Sequence, residues 1–550
     1  MTGIVRGPAG QPIANAEVTL VSDGDPVMRA TADASGRFRF AVTPGSKWGV
    51  SAHLAPHVGG FRPVQTIDRD TVLDVALDAA DGVAIRGVVR GDVDAGTYVM
   101  LVESHPDRTA DVWTTAIRPD HTFAAILPRY AQYVVSAGGN NAIGTIVIDG
   151  DRPTADLALE ITDPRPAPQA VVTWLGTAGA RLTATDPAVP LDDLAPLDGI
   201  VDGATIVALG EATHGTREYF QLKHRIIRYL IEKRGFTTFA LEANVTECRA
   251  VDAYIQGGPG DPRELLSNLY FWVWDTEEVL ALVEWLRAWN GDRRHPRVSL
   301  VGFDMQTKEI AFQSAARFVK LSPEDTKRSL ETRAAYIEGI ATIESRLATT
   351  RVVPQEIRDD FEVVRQWLAL TGTKTPAEEH RLRDRFMADN IASRASRPGA
   401  GKMIVWAHNM HVEQDYEFAM GTYLAQRFAT AYVPIGFLFD RGTYNASPTG
   451  VNLTDARRVV GVGPAPEADI AASFARTGAD LLLVDLRRAT GGVADYLNRP
   501  QITRETGWNI SDEKSMPQAR RLAKRFAAAL YVARSTPSRL LLERQPGAEL

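Results

Sequence analysis

The chain has 550 residues, of which 45% are hydrophobic and 23% are charged, and its formal net charge is −7. This length exceeds what one hydrophobic core supports, so we expect two or three folded domains and no extensive disorder. The acidic balance and the lack of a long Lys/Arg run with interleaved aromatic residues argue against nucleic acid as a partner. A small-molecule substrate is the expectation that remains.

The only cysteine is Cys248, which excludes an internal disulfide framework, a Cys-rich zinc site and a CxxC redox pair. We expect it to be buried in a helix and structural. The N-terminus has no basic stretch followed by an apolar core, and no run approaches ~18 apolar residues. The sequence therefore predicts no membrane contact and a cytoplasmic location by default, with secretion if an upstream signal was removed. It predicts no oligomeric state.

The first 160 residues contain an internal repeat at an offset of roughly 84 residues. Residues 3–7 match residues 87–91, residues 48–52 match residues 133–137, and Phe38 falls near Phe123. The segment 74–77 matches 156–159 at a slightly shorter offset. Short alternating strands between Gly- and Pro-containing turns predict two small β-sandwich modules, at 1–80 and 81–162.

The first module resembles the carboxypeptidase-regulatory-like family, a transthyretin-like β-sandwich. The pattern that carries the resemblance runs from Gly3-x-Val5 through Gly10-x-Pro12 to Asp33-x-x-Gly36-Arg37-Phe38. In that family the module is accessory, which implies a spacing role here, with carbohydrate or surface binding as the alternative. The Pro-rich segment 163–168 predicts that residues 163–196 are a linker.

From about residue 197 the pattern changes to apolar strands that alternate with amphipathic helices, which predicts an α/β domain over 197–550. The sheet should be mainly parallel. Residues 309–396 show no strand signal, and their length fits an inserted lobe of three or four helices over one end of the sheet. The predicted fold class is thus multidomain, with two β-sandwich modules followed by an α/β domain and a helical lobe.

Titratable side chains follow four predicted strands, at the edge where ligands bind in open α/β sheets. The four strand ends carry Glu211 with His214, Glu242, Asp304, and His408 with His411. One such strand end would be weak evidence. Four in succession predict an active site at this edge of the sheet.

These segments resemble the erythromycin esterase family from about Leu197 to the C-terminus. The matching segments are 210–218, 239–243, 301–304, 383–390 and 406–411. The resemblance implies hydrolysis of a macrolide ester or lactone by a histidine-activated water, an activity that would confer antibiotic resistance. Many members have no established substrate, so the resemblance defines the chemistry better than the substrate.

We assign His214 as the general base, because a neutral histidine takes a proton from water near pH 7. By resemblance, Glu211 and Glu242 orient this histidine and the attacking water. His408 and His411 would polarise the carbonyl or protonate the leaving alkoxide. Two alternatives remain open: Glu242 as a cap for the next helix, and His214 as a core histidine.

Four further residues are predicted to contact substrate. Lys223 would hold a carboxylate or the oxyanion, or be a solvated lysine, and Asp304 has either a catalytic or a structural role. Trp272 and Trp274 would form an apolar wall for a large ring or glycan, or belong to the core.

Other chemistries have less support. The sequence has no G-x-S-x-G, no P-loop, no G-x-G-x-x-G and no H-E-x-x-H, so we expect neither a serine nucleophile nor a nucleotide cofactor, and no metal. The main alternative is a metal-dependent hydrolase, because two Glu and three His at one edge also suit a divalent ion. The second alternative is a catalytically silent protein that binds a glycan or peptide in the same cleft.

Overall fold

The computed structural model describes residues 1–22, 25–42, 46–54, 60–67, 71–72, 74–77, 83–90, 98–104, 112–127, 132–137, 142–147, 157–160, 166–373, 376–416, 418–447, 457–507 and 517–541. Contacts divide the chain into two units. The first comprises Met1–Asp163, Thr373–His380 and Pro517–Ala519, and the second Pro164–Gly372, Arg381–Met516 and Arg520–Leu550.

The described N-terminal part of the first unit is built from short strands. They are β1 (Thr2–Arg6), β2 (Glu17–Ser22), β3 (Asp25–Thr31), β4 (Arg37–Arg39), β5 (Ser46–His53), β6 (Gly60–Ile67), β7 (Val75–Ala76), β8 (Val83–Arg90), β9 (Tyr98–Ser104), β10 (Val112–Ala116), β11 (Thr122–Leu127), β12 (Gln132–Ala137), β13 (Ala142–Val147) and β14 (Leu157–Glu160). They form sheets in the orders β4-β1-β7, β3-β2-β5-β6, β11-β8-β14 and β10-β9-β12-β13.

The second pair of sheets has the same strand order as the first. β1 pairs antiparallel with β4 and parallel with β7, and β8 pairs in the same way with β11 and β14. The register agrees with the offset of 84, since Gly3 lies opposite Phe38 and Gly87 opposite Phe123.

The closing strand differs from the sequence alignment by two residues. Val5 pairs with Val75 and Val89 with Leu159, so the equivalent of Val75 is Leu159, whereas the sequence comparison matched it to Leu157. Side chains alternate along a strand with a period of two, so a hydrophobic pattern does not distinguish the two alignments.

The second unit combines one large sheet with helices on its faces. The strands that follow residue 166 in the chain are β15 (Ala180–Arg181), β16 (Ile206–Leu209), β17 (Phe236–Asn244), β18 (Ser299–Asp304), β19 (Lys402–Trp406), β20 (Tyr432–Ala446), β21 (Arg458–Val462), β22 (Leu481–Asp485), β23 (Gln501–Arg504), β24 (Pro517–Arg520) and β25 (Ala528–Ser535).

The helices are α1 (Gln169–Ala178), α2 (Leu197–Ile200), α3 (Arg217–Arg234), α4 (Cys248–Ile255), α5 (Pro262–Ser267), α6 (Glu277–Gly291), α7 (Glu309–Phe318), α8 (Pro323–Glu331), α9 (Arg333–Thr349), α10 (Gln355–Leu370), α11 (Pro376–Ala395), α12 (Asn409–Val412), α13 (Met420–Phe428), α14 (Ile470–Ala475), α15 (Gly491–Leu497) and α16 (Leu522–Arg525). In the described part of the chain, no helix is both long and apolar enough to cross a bilayer.

The sheet is mainly parallel, as predicted. Its order is β15-β22-β25-β20-β16-β19-β17-β18, and β21 pairs with β20. β25, β20, β16, β19, β17 and β18 run parallel, whereas β22, β15 and β21 pair antiparallel. The carboxyl ends of β16, β19, β17 and β18 are therefore neighbours at one edge, which we call the carboxyl edge.

Two further sequence predictions differ from the structure. The proposed linker 163–196 includes α1 and β15; Val171 and Leu175 of α1 are buried in the core of the second unit. The lobe 309–396 has five helices in its described residues instead of three or four. The extra helix arises at Thr332, whose extended backbone ends α8 while its side chain caps α9.

Candidate active site

Glu211 and His214 lie in the loop between β16 and α3. The Nδ1 atom of His214 is 2.6 Å from Oε1 of Glu211, and the glutamate side chain is fully buried. Burial alone would raise the pKa of Glu211, but Lys223 and His214 lower it below its ordinary value, so this carboxylate is ionised. An ionised partner on Nδ1 fixes the tautomer in which Nε2 of His214 accepts a proton.

Two glycines allow this loop to pack closely against its neighbours. A Cβ atom on Gly210 would lie 2.2 Å from Oδ1 of Asn409, and one on Gly215 would lie 2.0 Å from the carbonyl oxygen of Asn445. The carbonyl of Gly215 also accepts a hydrogen bond from the backbone of Asn445, at 3.1 Å. Only glycine permits these approaches, which set the position of the loop that holds His214.

Lys223, on α3, contacts the carboxylate oxygen of Glu211 that His214 does not contact. Its Nζ is 2.6 Å from Oε2 of Glu211 and 4.4 Å from the ring centre of Trp406, and the lysine is fully buried. The alternative of a solvated lysine is therefore wrong. Trp406 donates its Nε1–H to the same Oε2 at 3.0 Å. Burial lowers the pKa of Lys223 to about 8, although the charge of Glu211 opposes this shift.

Glu242 stands near the end of β17, where the pairing with β18 is irregular between Leu241 and Asn244. Such a bulge redirects side chains next to active sites. Oε2 of Glu242 accepts a hydrogen bond from the backbone N–H of His408 at 2.9 Å, and Oε1 accepts one from Nη2–H of Arg383 at 3.0 Å. Burial raises the pKa of Glu242, but nearby positive charges, chiefly His411 and Arg383, lower it well below its usual range.

Asp304, at the end of β18, is fully buried and holds an arginine. Its Oδ2 is 2.6 Å from Nη2 of Arg383 and its Oδ1 is 3.2 Å from Nε of the same side chain. Arg383 comes from α11 and bridges the ends of β17 and β18. Asp304 is thus engaged in a structural ion pair.

His408 precedes α12 and caps it. Its Nδ1 accepts the backbone N–H of Met410 at 3.2 Å, so a neutral ring carries its proton on Nε2. Burial, followed by the charges of His214 and His411, lowers the pKa of His408 to about 3, which keeps the ring neutral. Its Nε2 is buried and has no hydrogen-bond partner among the described residues.

His411 lies one turn further along α12 and contacts two carboxylates. Nδ1 is 2.9 Å from Oδ1 of Asp384, and Nε2 is 3.3 Å from Oε1 of Glu242. Burial lowers the pKa of His411, but Asp384 and Glu242 raise it above its ordinary value, which favours the charged ring.

The two tryptophans predicted to contact substrate have different surroundings. Trp274 is 1% exposed, belongs to the core and donates its Nε1–H to the carbonyl of Glu242 at 3.1 Å, so its side chain does not form a cleft wall. Trp272 is partly exposed, with the guanidinium of Arg457 5.1 Å from its ring centre. Cys248 is buried, as expected, and burial raises the pKa of its thiol.

The structure thus brings Glu211, His214, Glu242, Asp304 and His408 together with His411 and Lys223. The sequence did not identify roles for Arg383, Asp384 and Trp406, although all three lie in segments that carry the family resemblance. The one sequence feature that could have pointed to Arg383 and Asp384 is that these two charged residues are adjacent in a predicted helical segment. Nothing local indicated its partners, since Arg383 and Glu242 are 141 residues apart.

Known proteins resemble both parts of the chain. The profile of the erythromycin esterase family matches residues 231–362 and 354–535, and that of the carboxypeptidase regulatory-like domain matches residues 1–77. Erythromycin esterase type II of Escherichia coli is 34% identical over 116 residues, which are 21% of this chain and 26% of that protein. A putative hydrolase of Bacillus subtilis, YbfO, is 33% identical over 124 residues, or 22% and 27% of the two chains.

These matched segments cover about a quarter of each curated relative. Among solved structures, a mutant of the erythromycin esterase EreC in its open conformation superposes with a TM-score of 0.51 at 18% identity, over 66% of this chain and 99% of that one. At this identity the likeness concerns the fold. The erythromycin esterase profile matches more than half of the chain. The chain is therefore a member of the erythromycin esterase family, and it carries a carboxypeptidase regulatory-like domain at its N-terminus.

Proposed function

We propose that this protein is a carboxylic ester hydrolase that cleaves an ester or lactone with a water activated by His214. The observation that carries the proposal is the buried pair of Glu211 and His214, 2.6 Å apart, with Lys223 on the other carboxylate oxygen. The His214 side chain is 11% exposed, so solvent reaches the ring whose Nδ1 is already engaged. A positioned base of this kind is what water activation requires.

The reaction follows from the two neighbouring histidines. Nε2 of His214 takes a proton from water while the water oxygen bonds to the carbonyl carbon. The carbonyl oxygen gains negative charge, and Nε2–H of His408 donates a hydrogen bond to it. When the tetrahedral intermediate collapses, the C–O bond to the leaving alkoxide breaks and His214 returns its proton to that oxygen. The products are a carboxylic acid and an alcohol, joined in one chain if the substrate is a lactone.

Glu242 and Arg383 serve this reaction as positioning residues. Glu242 binds the backbone N–H of His408 and the side chain of His411, so it fixes the turn that presents the His408 ring. Arg383 neutralises Glu242 and Asp304 together. His411 is occupied on both nitrogens, which leaves His408 as the better donor to the oxyanion.

Three donors already occupy Glu211: His214, Lys223 and Trp406. A divalent ion bound to Glu211 would have to displace the lysine or lie against its charge. This geometry argues against a metal ion bound to Glu211, and we propose the metal-independent route.

The substrate class that we propose is a small-molecule ester or lactone of the macrolide type. A relative is described as an erythromycin esterase, and the partly exposed Trp272 would offer the accessible part of its ring to such a ligand, beside the guanidinium of Arg457. For the N-terminal region we propose two copies of one accessory β-sandwich module, because the strand order repeats.

The test is a mass-spectrometric screen of the purified full chain against macrolides and simple esters, in which each product gains one water. Protein with His214→Ala, prepared in the same way, is the control for contaminating esterases. We expect turnover of at least one ester that the variant does not cleave. Equal product with both proteins would refute the assignment, and binding without turnover would support the silent binding protein instead.

A further inference from the structure

The proposed reaction needs the rings of His214 and His408 side by side, and these rings belong to different segments of the second unit. His214 lies in the loop after β16, and His408 lies in the turn before α12. One backbone hydrogen bond joins the segments directly, from the N–H of Asn409 to the carbonyl of Glu211 at 2.9 Å. A single backbone contact leaves the relative orientation of two side chains open. Further constraints come from residues 505 and 506, which follow β23.

Thr506 binds the loop that carries His214. Its backbone N–H donates a hydrogen bond to the carbonyl of Ala212 at 2.7 Å, and its hydroxyl donates to the same oxygen at 3.3 Å. Ala212 stands between Glu211 and His214 in the chain, and both Thr506 and Ala212 are fully buried. Because an unpaired carbonyl is costly in the core, this contact holds the loop against Thr506.

Glu505, the preceding residue, is buried and contacts α12 at its first residue. Its Oε1 accepts a hydrogen bond from Nδ2 of Asn409 at 3.4 Å. Shorter bonds tie the same amide to β20, since Nδ2 of Asn409 donates to the carbonyl of Phe437 at 2.8 Å and Oδ1 accepts the N–H of Phe437 at 3.1 Å. Asn409 directly follows His408, so its amide orients the start of the helix that His408 caps.

Arg525, on α16, connects Glu505 to the other end of α12. Its Nη2 is 2.5 Å from Oε1 of Glu505, and its Nε is 2.8 Å from Oε2 of Glu413, the residue that follows α12. The backbone carbonyl of Arg525 also accepts the N–H of Gln414 at 3.2 Å. Burial alone would lower the pKa of Arg525, but the charges of Glu413 and Glu505 raise it above its ordinary value. We call Glu413, Glu505 and Arg525 the buried triad.

Charge balance does not explain the composition of the buried triad. Glu413 already neutralises Arg525 through two contacts, of 2.8 and 3.3 Å, and Glu505 adds a second carboxylate to the same guanidinium. Buried ion pairs seldom add stability over hydrophobic side chains of similar volume. Glu505 is therefore better explained by the segments that it holds in place than by the stability that it adds.

We propose that Glu505 and Thr506 are positioning residues, which set the spacing of 4.8 Å between the ring centres of His214 and His408. Thr506 holds the His214 loop and Glu505 holds α12. Because the two residues are consecutive, their Cα atoms are ~3.8 Å apart, and this fixed length ties the two contacts together. The inference rests on the proposed function, in which one ring activates water and the other binds the oxyanion. A misplacement of about 1 Å in such a site costs up to about a hundredfold in rate.

Three substitutions of Glu505 test the proposal in the full chain. Glu505→Leu removes the carboxylate and leaves Arg525 paired with Glu413, so no lone charge remains in the core. Glu505→Gln keeps an oxygen for Asn409 and is the conservative variant. Glu505→Asp keeps the charge on a side chain one methylene shorter, and it decides the test if Glu505→Leu does not fold. Asp469→Ala is the matched control, because it removes another buried carboxylate of the second unit, which caps α14.

Two measurements apply to each variant, after urea denaturation has compared their stabilities. The nuclear Overhauser effect between the ring protons of His214 and His408, in deuterated protein with protonated histidines, reports the ring spacing without any substrate. His214→Ala and His408→Gln assign the two sets of signals. Steady-state kcat and KM on the ester found in the screen report the chemistry.

We expect a weaker Overhauser effect for Glu505→Leu, with kcat about 10–100-fold lower and little change in KM. Glu505→Asp should lose less, Glu505→Gln should stay near wild type, and Asp469→Ala should change neither measurement.

An unchanged Overhauser effect in Glu505→Leu, or in Glu505→Asp where the leucine variant does not fold, would overturn the proposal. An unchanged kcat despite a weaker effect would overturn it too, and so would an equal fall in kcat for Asp469→Ala, which would indicate general loosening. If the wild-type protein cleaves no ester, the proposed function fails, and the Overhauser effect alone decides whether Glu505 sets the ring spacing.

Discussion

The imidazole rings of His214 and His408 lie with their centres 4.8 Å apart and their planes at 37°. The first ring is held by an ionised glutamate on Nδ1, and the second accepts a backbone N–H on Nδ1. The Nε2 atom of each ring can therefore interact with a ligand, as an acceptor in His214 and as a donor in His408. This pairing of a base with a neutral donor is the basis of the predictions below.

His214→Ala should abolish ester turnover while the protein stays folded. Loss of a general base costs about a hundredfold or more in kcat. Steady-state kinetics on the ester found in the screen, with circular dichroism as the check of folding, would measure this. A kcat within a few-fold of wild type would show that another group activates the water.

His408→Ala should lower kcat by about 10²–10³-fold with little change in KM, because an oxyanion donor acts mainly in the transition state. The bond from Glu242 to the His408 backbone N–H does not depend on the side chain, so the turn should survive. His408→Gln, which restores an N–H donor, should recover part of the loss. An effect on KM alone would assign His408 to substrate binding.

Lys223 should impose an alkaline limit on activity. Its pKa is lowered to about 8, so the ammonium is charged below that pH and neutral above it. Loss of the charge weakens the ion pair with Glu211, and kcat measured from pH ~6 to ~10 should therefore fall as the pH rises through about 8. Lys223→Arg keeps the cation and should move the decline to higher pH. An identical profile for Lys223→Arg would contradict this assignment.

Arg383→Met should destabilise the fold, because it leaves two buried carboxylates, Glu242 and Asp304, without their shared cation. Breaking a buried ion pair in this way costs about 3–5 kcal/mol. Urea denaturation would measure the loss in the free energy of unfolding. Arg385→Met, on the exposed face of the same helix, should change it little. A stable Arg383→Met protein with reduced kcat would instead place Arg383 in the reaction.

Ester turnover should survive exhaustive chelation, because the Glu211, His214 and Lys223 arrangement provides a base without an ion. Dialysis against EDTA followed by assay, with metal analysis of the same sample, checks this expectation. Activity lost on chelation and restored by one divalent metal would favour the metal-dependent alternative and give water activation to the ion.

The hydrophobic pattern was sufficient to predict the parallel strands and the edge where Glu211, Glu242, Asp304 and His408 meet. Parallel strands separated by helices must place their carboxyl ends on one side of a sheet, so the chain order already implies that these residues are neighbours. The strand repeat in the first 160 residues was visible for a similar reason, since repeated sequence produces repeated pairing.

Only the tertiary structure decided which groups touch one another. Arg383 reaches Glu242 across 141 residues, Trp274 points into the core instead of a cleft, and Lys223 is buried under Glu211 although its helix looked amphipathic. The pattern of a single element records which side is apolar, but not which distant element covers it. Distances, burial and the resulting pKa shifts depend on that packing, which is why the sequence predicted that these residues meet at the carboxyl edge but not the ion pairs between them.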